Sequence, residues 1–377
     1  MPNSDQQSEQ IKAQTVFDDS AFATKYAWQD DAWAQLITQY QQGRLPHAML
    51  AAGMAGIGKR AFVWRFVAWL LCENKFAGTA DNSSDDSLDT QSNLPAQFAC
   101  GHCESCTWLK AGTHPDVLVL PKSDDDSAQK FERSIKIDDI RNVQEYSHSK
   151  GKGERVIVLD YADTLTIAAA NALLKTLEEP RSGVHLLLIT DHVSRLLPTI
   201  KSRVQALPLE QIDERYSLEF LKNILVNDSL NNANDWQVRA KMLLALADGA
   251  PLVAADLPQQ AWFAHRGTWL KTLAALRTGR RSVMAASDYW QGELTLAQFC
   301  MLSRVMLLDL WRMGLGLPSL HTDLSVADTL ASVPSLATAD FDAMLNQLND
   351  TAIATTQNVQ EKFAYDALMS VLAGQAG

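Results

Sequence analysis

The sequence predicts an α/β domain, a parallel sheet flanked by helices, followed by an all-helical carboxy-terminal region. Three observations carry this. Short apolar runs alternate with helical patterns from residue 27 to about Leu209. The run Val184 to Thr190 is almost unbroken in its apolar character, as a strand covered on both faces must be. Beyond Leu209 no strand pattern occurs, and apolar residues recur at three- and four-residue spacing.

A chain of 377 residues is long enough for two or three domains. Its 47% hydrophobic and 20% charged content is that of a soluble globular protein. A net charge of −11 argues against a protein whose main task is to coat DNA. The first residues, Met1 to Gln7, are polar and lack the basic and apolar regions of a signal peptide. The apolar stretch Phe299 to Leu317 contains Arg304, Asp309 and Arg312, so it reads as a core helix and not a membrane span. We therefore expect a cytoplasmic protein with no membrane association. Three of the five cysteines are clustered, which in a reducing cytoplasm suggests a metal site and not a disulfide framework.

Residues 1–26 are expected to be a mobile N-terminus. Ala27 to Tyr40 has Trp33, Leu36, Ile37 and Tyr40 at helical spacing. Met49 to Ala52 reads as a buried strand, and Ala61 to Leu71 as an apolar helix. Between them lies Gly53-Met54-Ala55-Gly56-Ile57-Gly58-Lys59-Arg60, which is nearly a P-loop. That motif uses glycines so that backbone N–H groups can cradle phosphates, a lysine for the β/γ-phosphates, and a hydroxyl for Mg²⁺. Gly53, Gly56, Gly58 and Lys59 are present, but the hydroxyl position holds Arg60.

An acidic, serine-rich stretch at about 76–97 is expected to be a disordered insertion, because it cannot bury enough apolar surface. Next comes Cys100-Gly101-His102-Cys103-Glu104-Ser105-Cys106, two overlapping C-x-x-C steps. Three soft thiolates at this spacing suit tetrahedral Zn²⁺, which needs a fourth ligand. Cys72, His102 and His114 are the candidates, with Cys72 favoured because the flexible insertion lets it return. A redox C-x-x-C lacks thioredoxin-like surroundings here. Cys300 sits in an apolar helix and reads as core.

Asp116 to Pro121 reads as a strand, followed by an acidic loop around Ser123 to Ser127. Ile137, Ile140 and Val143 mark one face of a helix, and Gly151 to Glu154 a turn. Arg155 to Asp160 is an apolar strand ending in an acid, similar to a Walker B segment, with Tyr161 next. Thr166 is placed to cap a helix that Pro180 ends. Thr199 to Val204 follows a short helical turn. Residues 210–257 read as a small helical unit broken near Asp248-Gly249-Ala250-Pro251, and 258–377 as a further helical domain without internal repeats.

The run Asn171 to Pro180, Ser202-Arg203 some twenty residues on, the cysteine module after the P-loop helix, and Ala111 to Asp116 together resemble the AAA+ subunits of bacterial clamp loaders. The resemblance covers about 27–255, with weak similarity near Glu361 to Ala364. It implies an AAA+ domain over 27–209 carrying a zinc module at 72–106, a lid domain over 210–257 and a collar domain over 258–377. It implies structural zinc on Cys72, Cys100, Cys103 and Cys106. It also implies that Arg203, beside Ser202, acts as an arginine finger in trans; Val204 stands where the family has Cys.

Three departures bear on nucleotide chemistry. Arg60 replaces the Mg²⁺-binding hydroxyl, Tyr161 follows Asp160 where a catalytic glutamate belongs, and Leu252 occupies the position of an arginine. The expectation is a subunit that does not hydrolyse ATP and binds it weakly or not at all. Its implied partners are clamp-loader motor subunits, a delta subunit and, through the complex, the sliding clamp and primer–template DNA of DNA polymerase III. An active AAA+ ATPase motor is the alternative. A zinc-dependent nucleic-acid-binding module is disfavoured by the acidic charge.

Overall fold

The computed structural model describes residues 24–75, 98–121, 134–148, 153–226, 236–331, 333, 336–354 and 360–375. The N-terminal segment before residue 24, the acidic insertion at 76–97, the acidic loop around 123–127 and part of the 151–154 turn lie outside the described residues. The chain divides into two compact units, 1–216 and 217–377.

The first unit is built on five parallel strands: β1 (Ala48–Ala51), β2 (Val117–Leu120), β3 (Arg155–Leu159), β4 (Val184–Ile189) and β5 (Gln205–Ala206), in spatial order β2-β3-β4-β1-β5. The helices of this unit are α1 (Asp30–Gln41), α2 (Lys59–Leu71), α3 (Glu104–Lys110), α4 (Ile137–His148), α5 (Ile167–Glu178) and α6 (Pro198–Lys201). In register, Leu50 lies opposite Leu188, and Ile157 opposite Leu186. Side chains alternate across a strand, and here both faces are buried, which explains why β3 and β4 read as apolar runs.

One face of the sheet, with Leu50, Ile157, Leu159, Leu186 and Leu188, shares a core with Ile140 and Val143 of α4 and Leu173 and Leu177 of α5. α2 packs against β1 and β4 and is buried nearly all round, from Phe62 to Leu70. The Trp33 ring of α1 meets Phe62, Phe66 and Trp69 of α2 edge-on at 6.1, 6.2 and 6.1 Å. The short β5 has no counterpart in the sequence pattern. It pairs through only two residues, Gln205 opposite Met49 and Ala206 opposite Leu50.

The second unit is helical. α7 (Glu214–Leu225) enters it, followed by α8 (Trp236–Leu246), α9 (Pro251–Asp256), α10 (Arg266–Arg277), α11 (Val283–Glu293), α12 (Leu296–Gly314), α13 (Val326–Leu330), α14 (Thr338–Ala354) and α15 (Glu361–Leu372). One core runs through it from Leu221 to Leu372. Trp269, Trp290, Phe299 and Tyr365 are fully buried in it. Trp269 donates its ring N–H to Ser303 Oγ at 2.9 Å, and Tyr365 its hydroxyl to the Leu294 carbonyl at 2.6 Å, so these two polar edges are satisfied, whereas the buried Trp290 Nε1 has no partner among the described residues. The Phe299–Leu317 stretch forms most of the amphipathic α12, with Asp309 buried against His321. Among the described residues no single helix is long and apolar enough to cross a membrane.

Candidate functional site

Parallel strands place ligand-binding loops beyond their carboxyl ends. Three such ends converge here, because β3, β4 and β1 are neighbours. They present Asp160, Asp191 and the Gly53–Arg60 turn. The turn needs its glycines: Gly53, Gly56 and Gly58 have φ of 128°, 82° and 81°. Gly58 also has no room for a side chain, since a Cβ would lie 2.7 Å from the Tyr26 ring and 2.8 Å from Gln29 Nε2. Gln29 donates to the carbonyls of Ile57 and Gly58 at 3.2 and 3.0 Å, and Trp28 Nε1 to that of Ile57 at 3.0 Å. The segment preceding α1 thus braces the turn.

The charged side chains of the turn are engaged within the domain. Lys59 is buried and donates to the carbonyls of Gly53 and Met54 at 2.8 and 2.6 Å, and its Nζ pairs with Asp191 Oδ1 at 2.7 Å. Arg60 Nε lies 3.0 and 2.9 Å from the two oxygens of Asp160, and Arg60 Nη1 lies 3.4 Å from Asp191 Oδ2. The guanidinium sits 4.4 Å from the centroid of the Tyr161 ring. Tyr161 itself has φ 55°, and its N–H donates to Asp160 Oδ1 at 2.9 Å.

Burial pushes Lys59 below its ordinary pKa, and Asp191 makes up only part of the loss. Burial would raise the Asp191 carboxyl, but Lys59 and Arg60 together hold it below the ordinary range. The partners respond unequally for a structural reason. The Lys59 side chain is 2% exposed, pairs directly with Asp191 alone and is opposed by the neighbouring Arg60 charge, whereas Asp191 is 20% exposed and gathers both cations. This donor set does not match a magnesium–nucleotide site: position 60 brings a guanidinium in place of a hydroxyl, and the lysine is turned onto its own loop. Asp191 belongs to none of the motifs in the sequence. Its signal was an acid placed directly after the β4–Thr190 run, on the strand beside β1.

The four cysteines come together. The sulfurs of Cys72, Cys100, Cys103 and Cys106 all lie within 4.8 Å of one another. A tetrahedron with ~2.3 Å metal–sulfur bonds has edges of about 3.8 Å, so the set fits one ion without rearrangement of the fold. Backbone N–H groups of Cys100, Cys103 and Cys106 donate to the sulfurs of Cys72, Cys100 and Cys103 at 3.3, 3.4 and 3.4 Å, contacts that favour the thiolate, while burial pushes the Cys103 thiol up. Hydrogen bonding with Cys106 pulls the Cys72 thiol well below its ordinary value despite burial.

Neither histidine is needed. His114 Nδ1 accepts from the Asp116 N–H at 3.1 Å, so Nε2–H donates to Ser105 Oγ at 2.9 Å, which donates to the Leu71 carbonyl at 2.8 Å. Burial lowers the pKa of this ring and keeps it neutral for that relay. His102 is exposed, with Nδ1 2.7 Å from the Cys100 carbonyl.

Ser202 and Arg203 follow α6 and are exposed. Arg203 Nη2 pairs with Glu178 Oε1 of α5 at 2.6 Å, and Nη1 donates to the Thr199 carbonyl at 3.0 Å and Ser202 Oγ at 3.3 Å. The Glu178 side chain is 51% exposed, so this tether is of the weak, solvated kind. Leu252 lies in α9 and is half-buried.

A parallel five-stranded sheet with a P-loop-like turn after β1 and a four-cysteine module after α2 defines the class: an α/β domain of the P-loop type, as expected of AAA+ proteins. A family model described as DNA polymerase III, delta subunit, matches residues 28–213. The chain is 34% identical over 269 residues to the DNA polymerase III subunit delta' of Pseudomonas aeruginosa, covering 70% of this chain and 71% of that protein. It is 32% identical to the delta' subunit of Yersinia pestis, covering 70% and 68%. It also shares 30% identity with the tau subunit of Escherichia coli, over 58% of this chain and 30% of that one. The chain belongs to the delta' family of DNA polymerase III subunits.

Proposed function

We propose that this chain is a non-hydrolysing clamp-loader subunit of DNA polymerase III in DNA replication. It acts as a stator and supplies Arg203 in trans to an ATP held by a neighbouring motor subunit. The observation that carries this reading is the pairing of Arg60 with Asp160, at the place where nucleotide chemistry requires a hydroxyl and a metal. The chain therefore contributes no ATP hydrolysis of its own. Tyr161 cannot act as a base toward water at neutral pH. Arg203, by contrast, is held only by solvated contacts. Its guanidinium is always charged, and Ser202 beside it orients the fork. At a neighbour's γ-phosphate it would neutralise charge developing in phosphoryl transfer.

Its partners in this reading are tau- or gamma-like motor subunits and a delta subunit, joined through the helices of 258–377 as a collar, with 210–257 as the lid. The complex places the sliding clamp on primer–template DNA. The ion of the cysteine cluster is zinc, and its role is structural, because four thiolates leave no open position for a catalytic water.

The test is the clamp- and DNA-stimulated ATPase of the reconstituted loader with Arg203→Ala. We expect hydrolysis at the site facing Arg203 to collapse. A trans arginine is worth ~10³–10⁵ in rate in GTPases. Unchanged stimulated ATPase would refute the trans role. The chain alone should show no Lys59-dependent hydrolysis.

A further inference from the structure

Four charged groups at the P-loop-like turn pair with one another. Two carboxylates, Asp160 and Asp191, face two cations, Lys59 and Arg60. The guanidinium spans both acids. Its Nε and Nη2 reach Asp160 Oδ1 at 3.0 and 2.9 Å, its Nε reaches Asp160 Oδ2 at 2.9 Å, and its Nη1 reaches Asp191 Oδ2 at 3.4 Å. The Tyr161 ring lies against its face. Tyr161 does so from a left-handed backbone conformation that a non-glycine residue adopts at a cost, so the surroundings hold it there. The site is not sealed: Arg60 is 34% exposed, Asp160 18% and Asp191 20%, so an ion from solvent could reach the acids if they were vacant.

We propose that Arg60 is the resident counter-ion of this pocket. Its guanidinium does for Asp160 and Asp191 what a divalent cation does in a metal–nucleotide site, and it thereby excludes the cation. An arginine suits this role because it cannot be deprotonated in a protein and its planar fork satisfies a carboxylate through two N–H groups at once. A lysine or a bound metal offers only a point charge. The inference deepens the reading of a non-hydrolysing pocket and rests on it, but it is independent of what Arg203 does.

The experiment is the melting of the full purified chain with and without millimolar MgCl₂. Wild type should be insensitive to Mg²⁺. Arg60→Thr should melt lower by roughly 3–6 °C, the loss expected for one charge-assisted hydrogen-bond pair in a unit of this size. Mg²⁺ should restore most of that loss. Arg60→Thr combined with Asp160→Asn should lose the Mg²⁺ response. Wild type stabilised by Mg²⁺ as much as the variant, an Arg60→Thr melting point equal to wild type, or a lowered one that Mg²⁺ leaves in place would each overturn the proposal. Should Arg60→Thr fail to fold, Arg60→Lys takes its place, with a smaller loss and a smaller Mg²⁺ recovery; no recovery there overturns it equally. ATP hydrolysis by the wild-type sample, measured alongside, reports separately on the non-hydrolysing reading.

Discussion

Gly58 shows how a motif can outlive its chemistry. Its φ of 81° and the missing space for a Cβ are requirements of the turn and of Tyr26 and Gln29, with no nucleotide involved. Gly58→Ala should therefore destabilise the isolated chain by ~2 kcal/mol or more, the left-handed penalty plus a steric clash, read from denaturant unfolding. Retained stability would mean that the glycine serves only ligand approach. The glycines, Lys59, Asp160 and the three clustered cysteines are legible from local pattern. Asp191 is not, because an acid after a strand is an ordinary feature until strand order brings it beside the turn. The fourth ligand is a choice among three candidates in the sequence, Cys72, His102 and His114. The structure places Cys72 with the other three and commits both nitrogens of His114 to other partners. The Arg203–Glu178 pair is of the kind any surface arginine forms, so the Arg203→Ala ATPase measurement is what separates a surface arginine from a finger.

Elements were legible where propensity and tertiary demand agree. α5 begins where Thr166 accepts a hydrogen bond from the Ala169 N–H at 3.2 Å, and it ends at Glu178, before Glu179, which has left helical geometry (φ −119°, ψ 67°) ahead of Pro180. Thr166→Ala should cost about 1 kcal/mol in chemical denaturation, and Thr166→Ser should recover most of it. A null effect would show that packing of Leu173 and Leu177 alone sets the helix start. β5 was illegible because two residues, one of them exposed, carry no periodicity; pairing with Met49 and Leu50 makes the strand. α2 was read as helical, but its burial on all sides comes from β1, β4, α1 and α3 enclosing it.

For the molecule, the cysteine cluster is a staple between distant segments. Cys72 follows α2, while Cys103 caps α3, and the Ser105–Leu71 hydrogen bond joins the same two helices. The purified chain should carry one zinc per molecule by elemental analysis. Chelation, or Cys72→Ser, should lower the melting temperature, because ion binding contributes folding free energy directly. A metal-free chain of full stability would show the cluster to be four packed thiols. The two units have separate cores, one sheet-based and one helical.

The order of residues was enough to specify the alternation of strands and helices, the near-P-loop, the metal-ligand spacing and the family, because each is a local pattern or a match along the chain. Folding decided what those patterns amount to. Parallel pairing of β3, β4 and β1 carries Asp160 and Asp191, 31 residues apart in the sequence, to the two sides of Arg60. Only at that distance can the pairing be read, since Coulombic and hydrogen-bonding energies depend on separation in space and not along the chain. A turn that in sequence lacks one hydroxyl is, in the folded protein, a site whose acids are already paired.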